Sequence, residues 1–293
     1  MLAKNGYLVI LPRTTNLLTN NDLLDCLRYL KVKNTDPSSF LFNKVDEYNM
    51  GLSGHSMGGG AAANGAAAGK DIVKAIMPLH PAPFSRFRDA TQPSFLTGGS
   101  RDFITSTRLI NSSSYARGKM PKILAEIRGA SHFEPMNRSN RWNPYVLAFF
   151  DLYLKGDLAA ANLIWGDGLT ADRRMTQPIK RDSQISFSAS TIDENVSPES
   201  RARVRARVRN EQTIPSRFKL YLDDDTYRQF AIDVNTETTP PLQRNGDSEF
   251  IVRVGLIDDL ISRGEQRTFR FASLATSDGG TCAFDGSTTN LQP

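Results

Sequence analysis

Residues 54–58 read Gly-His-Ser-Met-Gly, and no other stretch constrains the fold as strongly. A short apolar run, YNMGLSG (48–54), precedes them, and a run of small residues, GGGAAANGAAAGK (58–70), follows. The first predicts a strand and the second a closely packed helix. A GxSxG pattern between strand and helix is the spacing of a sharp turn that lifts a serine hydroxyl above a sheet. Such a turn forces unusual backbone angles at the serine and crowds its neighbours, so glycine two positions either side removes side chains that would clash. The serine is aimed at a helix N-terminus, whose dipole favours developing negative charge. Ser53 does not fit the same spacing, because position 55 is histidine rather than glycine.

The residues around this turn alternate in the same way. YLVIL (7–11), VKAIMPL (73–79), SFLTGG (94–99) and KILAEIRG (122–129) predict buried strands. NDLLDCLRYLK (21–31) predicts a helix with Leu23, Leu24, Leu27 and Leu30 on one face and Asn21 as cap, and helical spacing recurs at 104–117 and 144–155. Strand–helix alternation implies a parallel sheet covered on both faces. From about residue 183 the period changes to two. Alternating stretches at 184–190, 201–209, 217–223, 227–233, 249–255 and 267–274 predict an antiparallel β-sandwich. The expected organisation is an α/β domain over 1–176, a linker at 177–183 and a β-sandwich over 184–293. In RARVRARVR (201–209) the arginines take one face. A nucleic-acid-binding stripe competes there with a solvated sheet face, and the slightly acidic balance of this half favours the latter.

Composition narrows the class. With 39% hydrophobic and 23% charged residues in 293, the chain is neither disordered nor membrane-spanning. Its two cysteines cannot form a disulfide scaffold; Cys26 reads as a small core residue and Cys282 as part of a Gly/Thr-rich tail. No Cys–His spacing suggests zinc, so no metal is expected. Net charge is +5, with the basic excess in the first 178 residues, which hold 21 basic and 14 acidic side chains. No basic stripe with interleaved aromatics points to nucleic acid. The start, MLAKNGYLVILPRTT, lacks a secretory leader, so secretion is expected only if the true start lies upstream.

A serine nucleophile needs a base, and the chain has three histidines. His55 lies inside the turn, where a packed role is favoured. His80 ends the third strand, where it could line the cleft, and is the reserve base. His132 follows the fifth strand in Gly129-Ala130-Ser131-His132-Phe133, at the carboxyl end where open α/β sheets place functional groups, and is the favoured base. An acid must hold that base. Asp102 follows the fourth strand, with Asp71 and Asp89 as competitors. The order Ser56, Asp102, His132 is that of α/β-hydrolases.

GHSMGGG (54–60), GASHF (129–133), LAKNGYLVIL (2–11) and VKAIMPLHP (73–81) together resemble the polyester hydrolase–lipase–cutinase family, with chlorophyllases and platelet-activating-factor acetylhydrolases as relatives. The resemblance covers roughly residues 2–155. It implies an α/β-hydrolase fold and cleavage of carboxylic esters through Ser56, His132 and Asp102, with an acyl-enzyme intermediate and no cofactor. It implies the Met57 backbone N–H as an oxyanion donor and Phe133 as a wall of the acyl site. Phe84, in PLHPAPF (78–84), is the aromatic nearest the place where the family has a tryptophan, and it joins Phe133 and His80 as an expected substrate contact. The implied partner is a small ester, a lipid or a polyester, with possible surface or polymer binding by the sandwich. The family's first strands, and a second oxyanion donor after one of them, are expected to be missing from this chain. The alternative expectation is a catalytically incomplete relic carrying a binding or assembly module.

Overall fold

In the computed structural model the chain divides into two compact units, Met1–Asp182 and Ser183–Pro293. The structure describes residues 1–13, 21–83, 86–118, 121–157, 159–183, 185–193, 201–211, 217–222, 230–235, 238–256, 267–276 and 284–291. Phe84 and Cys282, both singled out above, lie outside the described residues.

The first unit is built on a five-stranded sheet. Its strands are β1 (Met50–His55), β2 (Val73–Leu79), β3 (Ser94–Arg101), β4 (Lys122–Ser131) and β5 (Met175–Asp182), side by side in that order. The first four are parallel and β5 runs antiparallel to β4. Helix α1 (Asn21–Thr35) precedes β1, the crossovers carry α2 (Met57–Ala68) and α3 (Thr107–Ser113), and the segment between β4 and β5 carries α4 (Asn143–Phe150), α5 (Ala159–Ile164) and α6 (Asp167–Ala171). Parallel neighbours need such long connections, and the helices cover both faces. On one face Leu24, Leu27 and Leu30 of α1 share a buried cluster with Ala62, Ala63 and Ala66 of α2, Ile110 of α3 and Leu52, Ile76, Leu96 and Leu124 of the strands. The alanines are what let α2 lie close to the sheet. On the other face Phe95, next to Leu96 on β3 and so pointing the opposite way, meets Trp142, Tyr145 and Phe149 edge-on at 6.0–6.4 Å.

Three expectations for this unit need correction. YLVIL is not a strand: residues 7–11 are irregular, Leu8 and Val9 are half exposed and Leu11 is 83% exposed. A strand exists only as part of a hydrogen-bonded ladder, and the sheet order ends at β1 without reaching this segment. The segment is held instead by the Tyr7 hydroxyl, which donates to Asp151 Oδ1 at 2.7 Å. The stretch expected as a linker forms β5, paired from Met175↔Ile127 to Asp182↔Lys122. Pro178 is accommodated because β5 is an edge strand. The helical stretch from 104 starts three residues late. The amides of Ile104 and Thr105 donate to Asp102 Oδ1, and α3 begins only at Thr107, behind Ser106, whose side chain accepts from the Leu109 amide.

The second unit is antiparallel. Strands β6 (Ile185–Asp193), β7 (Ala202–Asn210), β9 (Phe230–Val234) and β10 (Asp247–Leu256) form one sheet in the order β6-β7-β10-β9. Strands β8 (Arg217–Leu222), β11 (Arg267–Thr276) and β12 (Phe284–Leu291) form another in the order β12-β11-β8. The sequence pattern marked six of these seven; β12, in FDGSTTNL, shows no apolar alternation. In β7 the alternation is complete: Ala202, Val204, Ala206 and Val208 are buried and the intervening arginines are exposed. Arg207 pairs with Asp247 at 2.6 Å, Arg205 with Glu249 at 3.6 Å and Arg253 with Asp233 at 3.2 Å. The arginine stripe is thus a solvated face laced with acidic partners. Among the described residues no helix is long and apolar enough to cross a membrane.

Candidate active site

The candidate residues lie at the carboxyl ends of β1 to β4. Ser56 follows β1 with φ 56 and ψ −117, angles that a residue with a side chain seldom adopts. The turn is tied to its neighbour strand: the Ser56 amide donates to Leu79 O at 3.0 Å, and the Ala82 amide donates to Ser56 O at 2.9 Å. The two glycines flanking it are not equivalent. A Cβ on Gly54 would lie 2.4 Å from the backbone of Gly58, whereas a Cβ on Gly58 would meet nothing within 4 Å. The second crowded position is Gly59, whose Cβ would come within 2.9 Å of Gly54 O and 3.1 Å of Pro81.

Asp102 follows β3, and its Oδ1 takes the Ile104 and Thr105 amides at 2.9 and 2.8 Å. His132 follows β4. Its Nδ1 lies 2.9 Å from Asp102 Oδ2 and its Nε2 lies 2.9 Å from Ser56 Oγ. An ionised carboxylate can only accept, so Nδ1 carries the proton and bare Nε2 faces the serine hydroxyl. Burial pushes the Asp102 carboxyl up, but the Thr105 amide, His132 and His80 together hold it below the usual carboxylate range.

His80, after β2, is fully buried and is drawn onto the same atom: its Nδ1 lies 2.8 Å from Asp102 Oδ2. Trp142 Nε1–H donates to His80 Nε2 at 3.2 Å. Indole only donates, so Nε2 is unprotonated and the His80 proton sits on Nδ1. Burial pushes the His80 imidazole down to about 4, against the pull of Asp102, so it is neutral near pH 7. Thr105 Oγ1 completes the cluster, 3.0 Å from both His80 O and Asp102 Oδ2. His55 Nε2 is 2.7 Å from the carbonyl of His132, and the two rings lie 4.6 Å apart. It therefore braces the backbone of His132 rather than Ser56. Of the competing acids, Asp89 pairs with Arg86 and exposed Asp71 precedes β2, at the opposite end of the sheet.

Residues 2–185, well over half the chain, match the PETase family, described as PET hydrolase-like. The chain belongs to that family. Cutinase est2 of Thermobifida alba is 32% identical over 164 residues, 53% of each chain. Cutinase est1 of the same organism is 29% identical over 164 residues, covering 53% of this chain and 54% of the relative. Lipase 1 of Moraxella sp. (strain TA144) is 28% identical over 139 residues, covering 47% and 43%. The chain thus spans about half the length of the curated relatives it matches.

In this PET hydrolase-like chain the residues expected to touch substrate separate. Phe133, beside His132, is 57% exposed, and Met57, the first residue of α2, is 37% exposed. As a first-turn residue, Met57 has no carbonyl within its own helix for its N–H. His80 is a correction: it does not line a cleft, because it is sealed behind Asp102 with both ring nitrogens bonded. The atoms of His80, Asp102 and His132 that a metal could use lie within 4.8 Å of one another, and they are already engaged in this hydrogen-bonded cluster. Thr105, Trp142 and the ion pair Glu134–Arg141, which ties down the turn after His132 at 2.8 Å, were not anticipated. Only Thr105 left a trace in sequence, as an Asp-x-x-Thr spacing of the kind that closes a side-chain-to-backbone turn.

Proposed function

We propose that the chain hydrolyses carboxylic esters by a serine acyl-enzyme mechanism. The observation that carries this reading is the unbroken chain of 2.9 Å contacts from Ser56 Oγ through His132 to Asp102 Oδ2. Ser56 Oγ attacks the ester carbonyl while His132 Nε2 takes its proton. Asp102 keeps His132 in the required tautomer and stabilises the imidazolium. The Met57 N–H, at the positive end of α2, donates to the oxyanion. The imidazolium then protonates the departing alkoxide, and water, deprotonated by His132, releases the acid. Exposed Met57, next to Ser56 in the chain, and exposed Phe133, whose ring lies 5.5 Å from that of His132, favour an apolar acyl group. Cutinase and lipase relatives support an ester of that character, whether small ester, lipid or polyester.

The two antiparallel sheets of the second unit are read as a β-sandwich, with β6 packed near β12. The test of function is incubation of the full chain with p-nitrophenyl esters and a fluorophosphonate probe. Hydrolysis together with a covalent adduct on Ser56 is expected. A folded chain that gains no adduct on Ser56 would sink the reading.

A further inference from the structure

Asp102 holds more donors than orienting one histidine requires. Oδ1 takes two amides, while Oδ2 takes His132 Nδ1–H at 2.9 Å and His80 Nδ1–H at 2.8 Å, with Thr105 Oγ1 at 3.0 Å. His80 is also committed at every polar atom. Its amide donates to Thr97 Oγ1 at 3.1 Å, its carbonyl lies 3.0 Å from Thr105 Oγ1, and its Nε2 accepts from Trp142. It adopts a φ of +46, unusual for a residue with a side chain. A histidine that only filled space would need neither the strained backbone nor the indole that fixes its tautomer.

We propose that His80, on the reading of Ser56, His132 and Asp102 given above, is a positioning residue for ester cleavage: locked as the Nδ1–H tautomer by Trp142, it shares Asp102 Oδ2 with His132, fixing the carboxylate's direction and moderating its pull on the His132 proton. Two N–H donors on one oxygen spread its negative charge, so each draws less from it. Without His80 the carboxylate is freer to turn and its whole charge faces His132, so His132 holds its proton more firmly. The charged and titratable groups facing His80 are Asp102 after β3, His132 after β4, His55 at the end of β1, and Glu134, itself paired with Arg141. Burial keeps His80 neutral across the neutral range, so its own titration does not enter the acid limb there.

The experiment uses the full chain with two substitutions. His80→Leu removes the donor at similar volume. His80→Asn keeps an N–H where Nδ1 stands, in a residue that tolerates positive φ. For His80→Leu, kcat on p-nitrophenyl butyrate is expected to fall roughly tenfold or more with KM changed less than about twofold. The acid limb of kcat/KM is expected to move about half a unit to higher pH. His80→Asn is expected to return kcat to within about threefold and to restore the limb. Nitrogen-15 NMR of the wild-type imidazoles at pH 6–8 is expected to show His80 protonated at Nδ1 and bare at Nε2, a readout that stands even if a variant does not fold. The proposal is overturned if His80 is found as the Nε2–H tautomer or as imidazolium. It is equally overturned if His80→Leu keeps wild-type kcat and pH profile, or if His80→Asn performs no better than His80→Leu. Fluorophosphonate labelling of wild-type Ser56 separates the outcomes: absent labelling defeats the catalytic reading, while the tautomer measurement still decides the geometry.

Discussion

The two units bury different things. The first takes polar groups out of water at one end of its sheet: His80, Asp102, Thr105, His132 and Glu134 are all at most 7% exposed. In the described part of the second unit the core includes Ala202, Val204, Ala206 and Val208 of β7, Phe250, Val252 and Val254 of β10 and Phe218 of β8, and the charges of β7 and β10 stay outside in exposed pairs. A buried polar group is tolerated only with partners, so the first unit surrounds each with named donors and acceptors. The second follows a period-two pattern, and the polar side chains it buries among the described residues, Asn210 and Thr239, are neutral and bonded to nearby backbone. Reactivity is therefore expected to belong to the first unit alone, and perturbing either unit should leave a distinct signature.

The largest effect is expected at the proposed nucleophile, Ser56. Ser56→Ala should lower ester hydrolysis by about 10⁵-fold or more and abolish probe labelling, with the melting temperature kept or raised because the change spares the fold. Stopped assays with p-nitrophenyl esters and a thermal melt check both. Retained turnover would place the chemistry elsewhere in the chain.

Next come the glycines of the turn, which the sequence pattern treats as a symmetric pair and the structure does not. Gly54→Ala forces a Cβ against the Gly58 backbone at 2.4 Å, so the turn must shift and Ser56 with it. At least a 100-fold loss of activity is expected, since displacing reacting groups by about 1 Å costs that much. Gly58→Ala puts its Cβ in open space on a helix, where alanine is favoured, and should melt no lower than wild type. Equal losses in the two variants would contradict the observed geometry.

Much of this was legible in sequence, and what was not has physical causes. Strands β1 to β4 and helices α1 and α2 announce themselves because local periodicity and burial agree there. Periodicity marks YLVIL as a strand but cannot tell whether a ladder partner exists, and its Leu11 is 83% exposed. In β5, Pro178 and the charged residues argue against a strand, an objection that lapses at a sheet edge. Ser56, Asp102 and His132 could be picked out because each follows a predicted strand of a parallel sheet. The second histidine on Asp102 could not, because the bonds from His80 to Asp102 and Trp142 depend on register across β2 and β3 and on the docking of α4. Nothing local records these.

A core substitution in the second unit should be thermodynamically heavy and chemically silent. Phe250 is fully buried opposite Ala206 in the middle of its sheet. Phe250→Ala is expected to cost about 3–5 kcal/mol, read as an earlier unfolding transition for that unit. The hydrolysis rate below that transition should be unchanged. A proportional fall in kcat would mean that the units are coupled.

Acidification should act the other way. All three histidines, at 55, 80 and 132, lie in the first unit. His80 is held near 4 when folded and returns to about 6.5 when unfolded, so between those values the unfolded chain binds more protons. The stability that neutral His80 permits is full above about pH 6.5 and drains as pH falls toward 4, by roughly 3 kcal/mol at most. Depressed Asp102 adds a further loss as the pH falls below the ordinary carboxylate value of about 3.9 and through its own lower one. Melts between pH 7 and 4.5 should therefore lower the transition of the first unit more than that of the second. Parallel shifts would show that the histidines are not its source.

The smallest effect should come from the exposed arginines. Arg207 and Asp247 are 2.6 Å apart, yet their side chains are 57% and 41% exposed. Water screens the attraction, and ordering two long side chains offsets most of the rest, so such pairs contribute little. Arg207→Gln should shift the second unit's transition far less than Phe250→Ala does, by an amount that shrinks further at roughly 0.5 M salt. Were the loss as large as that of Phe250→Ala, or independent of salt, the arginine face would have a role other than solvating the sheet. The contrast between a unit that buries ionisable groups and one that keeps its charged pairs outside would then fail at the place where it is easiest to measure.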